Sequence, residues 1–88
     1  MTVSALSIAI AAATAAELHH VLTYETLAGT AVLADSLNLH RLEIDRGEAG
    51  YRCRIANAGT PPGPWTSDSL TATAALTHAA RWLEVIHR

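Results

Sequence analysis

Residues 39–58 constrain the fold more than any other part of the chain. The run LNLHRLEIDRGEAGYRCRIA, which begins at Leu37, alternates apolar and polar side chains and is interrupted at its centre by glycines. That pattern predicts a β-hairpin with strands at about 39–45 and 50–57. Leu42 and Ile44 share a face on the first strand, with Arg41, Glu43 and Asp45 on the other. On the return strand Tyr51, Cys53 and Ile55 share a face, opposite Arg52 and Arg54. The turn falls at Arg46-Gly47-Glu48-Ala49. A two-residue Gly47-Glu48 loop of type II′ and a four-residue loop closed by Asp45 and Gly50 imply one register. In it Ile44 faces Tyr51, Leu42 faces Cys53, Glu43 faces Arg52, Arg41 faces Arg54 and His40 stands beside Ile55. Cross-strand pairs contribute only roughly 0.2–1 kcal/mol each, and an isolated hairpin is marginal in water. Its apolar face therefore needs a cover.

The cover is expected from helices. In the last segment, about 68–87, Ala72, Ala75, Leu76, Ala79, Trp82, Leu83 and Ile86 form one stripe, and Thr73, Thr77, Arg81, Glu84 and Arg88 lie opposite. Thr66-Ser67-Asp68 offers an N-cap and a first-turn acid. Roughly 20 helical residues would run about 30 Å, enough to cross the domain, and the central alanines allow close approach to the hairpin. Upstream, residues 3–12 read as helix by their Ala content, although Leu6, Ile8 and Ile10 also alternate as in a strand. Thr14-Ala15-Ala16-Glu17 has the form of a capping box opening a second helix over about 15–28, with Leu18, Val21, Leu22 and Ala28 at helical spacing and Gly29 as its stop. The patch 30–37, TAVLADSL, fits either a short helix or a strand. Asn57 to Pro64, NAGTPPGP, is a loop too short to link domains. The expectation is one α+β domain spanning 1–88, in two layers, with a helical N-terminal half, a hairpin and a long C-terminal amphipathic helix.

Eighty-eight residues bury about 60–65% of their unfolded surface at most, and 50% hydrophobic content suffices for one core. Charge is unevenly placed. Residues 1–38 hold Glu17, Glu25 and Asp35 and no Lys or Arg, a net −3, whereas 39–88 set six Arg against five acids, a net +1. There is no Lys anywhere, and the whole chain carries −2. No apolar run reaches membrane-spanning length, and no basic residue precedes Arg41 to form the start of a signal peptide. These features predict a cytoplasmic protein that does not enter a membrane.

No catalytic constellation emerges. His19 and His20 diverge by about 100° on a helix, and the other histidines, His40, His78 and His87, form no HExxH pattern. The single Cys53 sits at an inward strand position, where a thiol behaves as a small hydrophobe. There is no GxSxG and no phosphate-cradling glycine loop. Trp65, beside the Pro-rich loop, either is exposed for binding or seals the end of the core. Neither enzymatic activity, metal nor cofactor is expected.

Two function classes remain. A protein-binding module fits the small size, the acidic first half and the Arg/Glu-studded hairpin, with Glu17, Glu25, Asp35, Glu43, Arg52, Arg54 and Trp65 as contact candidates. The three N-terminal acids are expected to matter most, against a basic partner surface. A homodimer through a free strand edge is compatible with it. The alternative is a nucleic-acid-binding domain of helix–sheet–helix type that uses Arg41, Arg46, Arg52 and Arg54. Its element order is similar to that of the double-stranded RNA-binding domain, but that family relies on a Lys-rich helix end, and this chain has no Lys.

The run HRLEIDRGEAGYRCRIA, with Gly47-Glu48-Ala49-Gly50-Tyr51 at its turn, followed by the Ala-spaced TATAALTHAARWLEVI, resembles small phage-borne accessory proteins, including anti-CRISPR inhibitors, over about residues 40–86. The resemblance carries over no functional residue. It implies a mode of action: a compact, non-catalytic plug that inhibits or adapts a nucleic-acid-handling complex.

Overall fold

The computed structural model describes residues 3–17 and 20–87. Leu18, His19 and Arg88, named above, lie outside them. The chain folds as a two-layer α+β domain. Its elements are α1 (Ala5–Ala15), β1 (Leu22–Glu25), β2 (Ala31–Ala34), β3 (Arg41–Arg46), β4 (Tyr51–Ile55) and α2 (Ala72–Ile86). The strands form one antiparallel sheet in the order β1-β2-β3-β4. Both helices pack on the same side of it, α1 over β1 to β3 and α2 over β3 and β4, and they also pack against each other.

α1 bears out the helical reading of the first segment. Ser4 caps it by accepting from the Ser7 amide at 3.1 Å, and Ala5, Ile8, Ala9 and Ala12 form its buried stripe. The expected second helix over 15–28 does not form. Thr14 lies in the last turn of α1, and Glu17 takes a left-handed φ of 55° with its amide bonded to the Thr14 carbonyl. The capping-box sequence thus ends a helix where it was expected to open one. Beyond it, Leu22-Thr23-Tyr24-Glu25 pairs with Ala31-Val32-Leu33-Ala34. β-branched and aromatic residues favour this extended pairing. Gly29, at φ 89°, turns the chain between the two strands.

The β3–β4 hairpin is present with a register two residues away from the expected one. Ile44 faces Cys53, Leu42 faces Ile55, Glu43 faces Arg54, Asp45 faces Arg52, and Arg46 and Tyr51 close the loop. The loop is Gly47 to Gly50, held by the Gly47 amide on the Gly50 carbonyl at 2.8 Å. A shift of two residues keeps every side chain on its expected face. Leu42, Ile44, Tyr51 and Cys53 accordingly join Ala31 and Leu33 beneath Ile8, Ala9, Ala12, Ala75, Ala79, Trp82 and Leu83. Ile55, expected in that core, is half exposed at its border.

α2 starts later than the sequence implies, with Thr71 as N-cap accepting from the Ala74 amide at 3.1 Å. Residues 63–70 are occupied elsewhere, since they line the outer border of β4. The Tyr51 amide donates to the Leu70 carbonyl at 2.9 Å and the Leu70 amide returns a bond of 3.0 Å. Thr66 bonds to the Cys53 carbonyl, its hydroxyl oxygen accepts from the Cys53 amide, and the Gly63 amide reaches the Ile55 carbonyl. These bonds satisfy the backbone groups that an edge strand otherwise leaves open. Among the described residues no helix is long and apolar enough to cross a membrane.

Candidate functional site

The side of the sheet away from the helices carries the densest set of polar and aromatic side chains. Its central row is Tyr24, Val32, Glu43 and Arg54, flanked by Leu22, Ala34 and Arg41 on one side and by Asp45 and Arg52 on the other. Four strands spaced about 4.8 Å apart make it roughly 15 Å wide from β1 to β4. Val32 and Ala34 lie on this face and are still buried, because the longer side chains around them close over it.

Trp65 anchors the β4 border. It does not seal the core: its ring packs on this face, with its centroid 4.2 Å from the Arg52 guanidinium carbon and 4.3 Å from that of Arg54. Each contact contributes about 0.5–2 kcal/mol, more as water is excluded. The loop fixes the ring before any partner arrives. Gly63 is bonded to Ile55 and Thr66 to Cys53, and Pro64 between them restricts the backbone. The two arginines are held from the other side by carboxylates. Arg52 directs Nε and Nη2 to Asp45 Oδ2 at 3.3 and 2.9 Å, and Arg54 Nε meets Glu43 Oε1 at 2.7 Å. The Glu43–Arg54 pair is the more shielded, with side-chain exposures of 16% and 28% against 27% and 39% for Asp45 and Arg52. At the β1 side the Tyr24 hydroxyl donates to Asn38 Oδ1 at 2.8 Å, and Arg41 Nε donates to the Asn38 carbonyl at 2.9 Å. Asn38 holds a left-handed φ of 57°, which Asn tolerates better than most residues.

The structure brings Glu43, Arg52, Arg54 and Trp65 together and leaves the other three candidates apart. Glu17 is exposed just past α1. Glu25 ends β1 in the row with Ala31 and Ile44, on the helix side. Asp35 lies in the β2–β3 turn, where its Oδ1 accepts from the Leu39 amide at 2.8 Å. Partial burial acts to raise the Asp35 carboxyl, but the amides of Leu39, His40 and Leu37 and the nearby His40 outweigh it and lower its pKa. That carboxylate serves the turn. Tyr24 and Asp45 are members of the face that the candidate list omits. Tyr24 was concealed by the expected helix over 15–28. The partnership of Asp45 with Arg52 follows from the two-residue shift in register.

Cys53 faces Ile44 and is 1% exposed. Burial pushes its thiol up to about 11, from an ordinary value of 9.0. His40 shares that side of the sheet but stands two residues beyond Leu42, away from the Ile44–Cys53 pair, and meets Asn57 Oδ1 at 3.4 Å. Cys53 should resist alkylation by iodoacetamide at pH 9 in the folded protein and react at once in urea; equally fast labelling in both states would contradict its burial. Because the folded thiol ionises later than the unfolded one, stability should fall as pH rises through the window from 9 to 11. Among the described residues no three His, Cys, Asp or Glu side chains are grouped so as to hold a metal ion.

Comparison with known protein families, curated proteins and solved structures gives no match for the chain.

Proposed function

We propose that this chain is a non-catalytic protein-binding module, and that the uncovered sheet face bearing Trp65, Arg52, Arg54 and Tyr24 is its contact surface. The observation that carries the reading is Trp65 held against two guanidiniums that are themselves paired to Glu43 and Asp45. Trp, Tyr and Arg dominate the energetics of protein interfaces when they are rigidly presented near the centre of a contact. Here the rigidity is built into the fold, so little side-chain entropy remains to be lost on association.

The pairing of charge favours a protein over nucleic acid. Arg41, Arg52 and Arg54 against Glu43 and Asp45 leave this face only +1, and a phosphate would have to displace carboxylates already bonded at 2.7 and 2.9 Å. In this proposal the module inhibits or adapts its partner by occupying a surface, as a plug of the anti-CRISPR kind would. Glu17, Glu25 and Asp35 then act at the periphery, by attraction to a basic partner.

The test is parallel affinity capture from the native host with the wild-type chain and with Trp65→Ala, followed by sizing and titration of the complex. A partner held by the wild type should bind Trp65→Ala at least about thirtyfold more weakly, the effect of losing a central Trp worth about 2 kcal/mol. Equal capture by both would refute the assignment of this face. Binding to any nucleic acid, single- or double-stranded, that collapses with added salt would replace the proposal with the alternative.

A further inference from the structure

On the helix side of the sheet, the border between β4 and α2 is not fully closed. A groove of about 490 Å³ runs there, within the range of roughly 300–1,000 Å³ usual for small-molecule sites. Leu42 and Ile55 from the sheet, Pro64 from the loop and Trp82 and Val85 from α2 supply its apolar walls. Val85 is 61% exposed and Ile55 49% exposed, so the groove leaves sizeable apolar surface in contact with water.

The charged side chains that line it are basic. His78 and Arg81, both exposed, stand on the same side of α2 as Trp82 and Val85, at the i, i+3, i+4, i+7 spacing that defines one helix face. Arg54, the third basic residue of the lining, is engaged by Glu43 and Trp65. Among the described residues no Asp or Glu lines the groove, and no carboxylate lies within ion-pair distance of Arg81. An apolar trough with an unpaired guanidinium matches a molecule with a hydrocarbon body and one anionic end. The guanidinium fork is suited to a carboxylate in two-point contact.

We infer that this groove binds an amphipathic carboxylate of the medium-chain fatty-acid class, its chain along Trp82, Val85, Ile55 and Pro64 and its carboxylate on Arg81. The groove adjoins the Trp65 face and shares Arg54 with it, but its anion site is Arg81, so the inference does not depend on the function proposed for that face.

The test uses sodium octanoate as probe and 1-octanol as its uncharged counterpart. Trp82 lies in the wall and reports binding through its fluorescence, isolated from Trp65 in a Trp65→Phe background. The expected result is a saturable change with octanoate, with octanol binding at least about tenfold more weakly. Arg81→Gln should weaken octanoate by a similar factor while leaving octanol unaffected. Arg81 is exposed, so this variant keeps the fold, and circular dichroism verifies it. Equal affinity for octanoate and octanol, an unchanged octanoate affinity in Arg81→Gln, or no saturable change would each overturn the inference. A Trp82 signal that shifts on dilution without ligand would also overturn it, by identifying a second copy of the chain as the occupant.

Discussion

Substituting Gly50 by Val should lower the unfolding free energy by about 2–5 kcal/mol, measured as a fall in the urea midpoint. A Cβ at Gly50 would stand 2.6 Å from the Leu70 carbonyl oxygen and 3.0 Å from the Ser69 carbonyl carbon. Both obstacles are backbone, so no side-chain rotation relieves them. Either β4 or the 63–70 segment must move, and movement breaks the reciprocal Tyr51–Leu70 bonds. Overpacking costs about 1–3 kcal/mol and each lost hydrogen bond roughly 0.5–1.5 kcal/mol. A domain of 88 residues has only about 4–13 kcal/mol in total, so the variant approaches the limit of folding. Gly47→Ala is the control, because the nearest atom to a Cβ there is 3.9 Å away. Equal midpoints for the two variants would mean that the 63–70 segment is not fastened to β4 as described.

Leu33→Ala should have an effect of similar size, about 2–5 kcal/mol. Leu33 sits in the middle of β2, is 0% exposed and belongs to the cluster beneath α1 and α2. Truncation leaves a void between sheet and helices that neighbouring Ala9 and Ala12, with no rotatable side chains, cannot fill. Leu27→Ala six residues earlier makes the same chemical change in the exposed β1–β2 turn and should be neutral within about 0.5 kcal/mol. Comparable losses in the two variants, read by urea titration, would show that α1 does not cover β2.

Legibility in the sequence followed the solvent exposure of each element. β3 and β4 have one face toward the helices and one toward the polar layer, so their alternation is plain. α2 has one buried stripe and reads as clearly. β2 is different: all four of its residues are buried, so its sequence has no polar face to reveal a period, and two of the four are Ala, a poor strand former. β1 went unread with it, because a four-residue strand is recognised only through its partner. The hairpin register escaped for another reason. Displacement by two residues leaves inside and outside unchanged, and only the placement of the loop, at Gly47–Gly50 and not at Arg46–Ala49, distinguishes the alternatives. The candidate face was partly legible, in that Glu43, Arg52 and Arg54 fall on one side by parity alone. Trp65 had no local signal placing it there. Its position depends on bonds from Gly63 and Thr66 to β4, which no pattern within residues 57–70 announces.

The segment that borders β4 also limits how copies of this chain could associate. Filament growth by strand addition requires each molecule to offer two docking margins, one for the copy ahead and one for the copy behind. Here one margin is permanently filled by the chain's own backbone. Strand-to-strand association across β1 therefore stops at a pair, and a fibre cannot propagate unless the 63–70 segment first peels away.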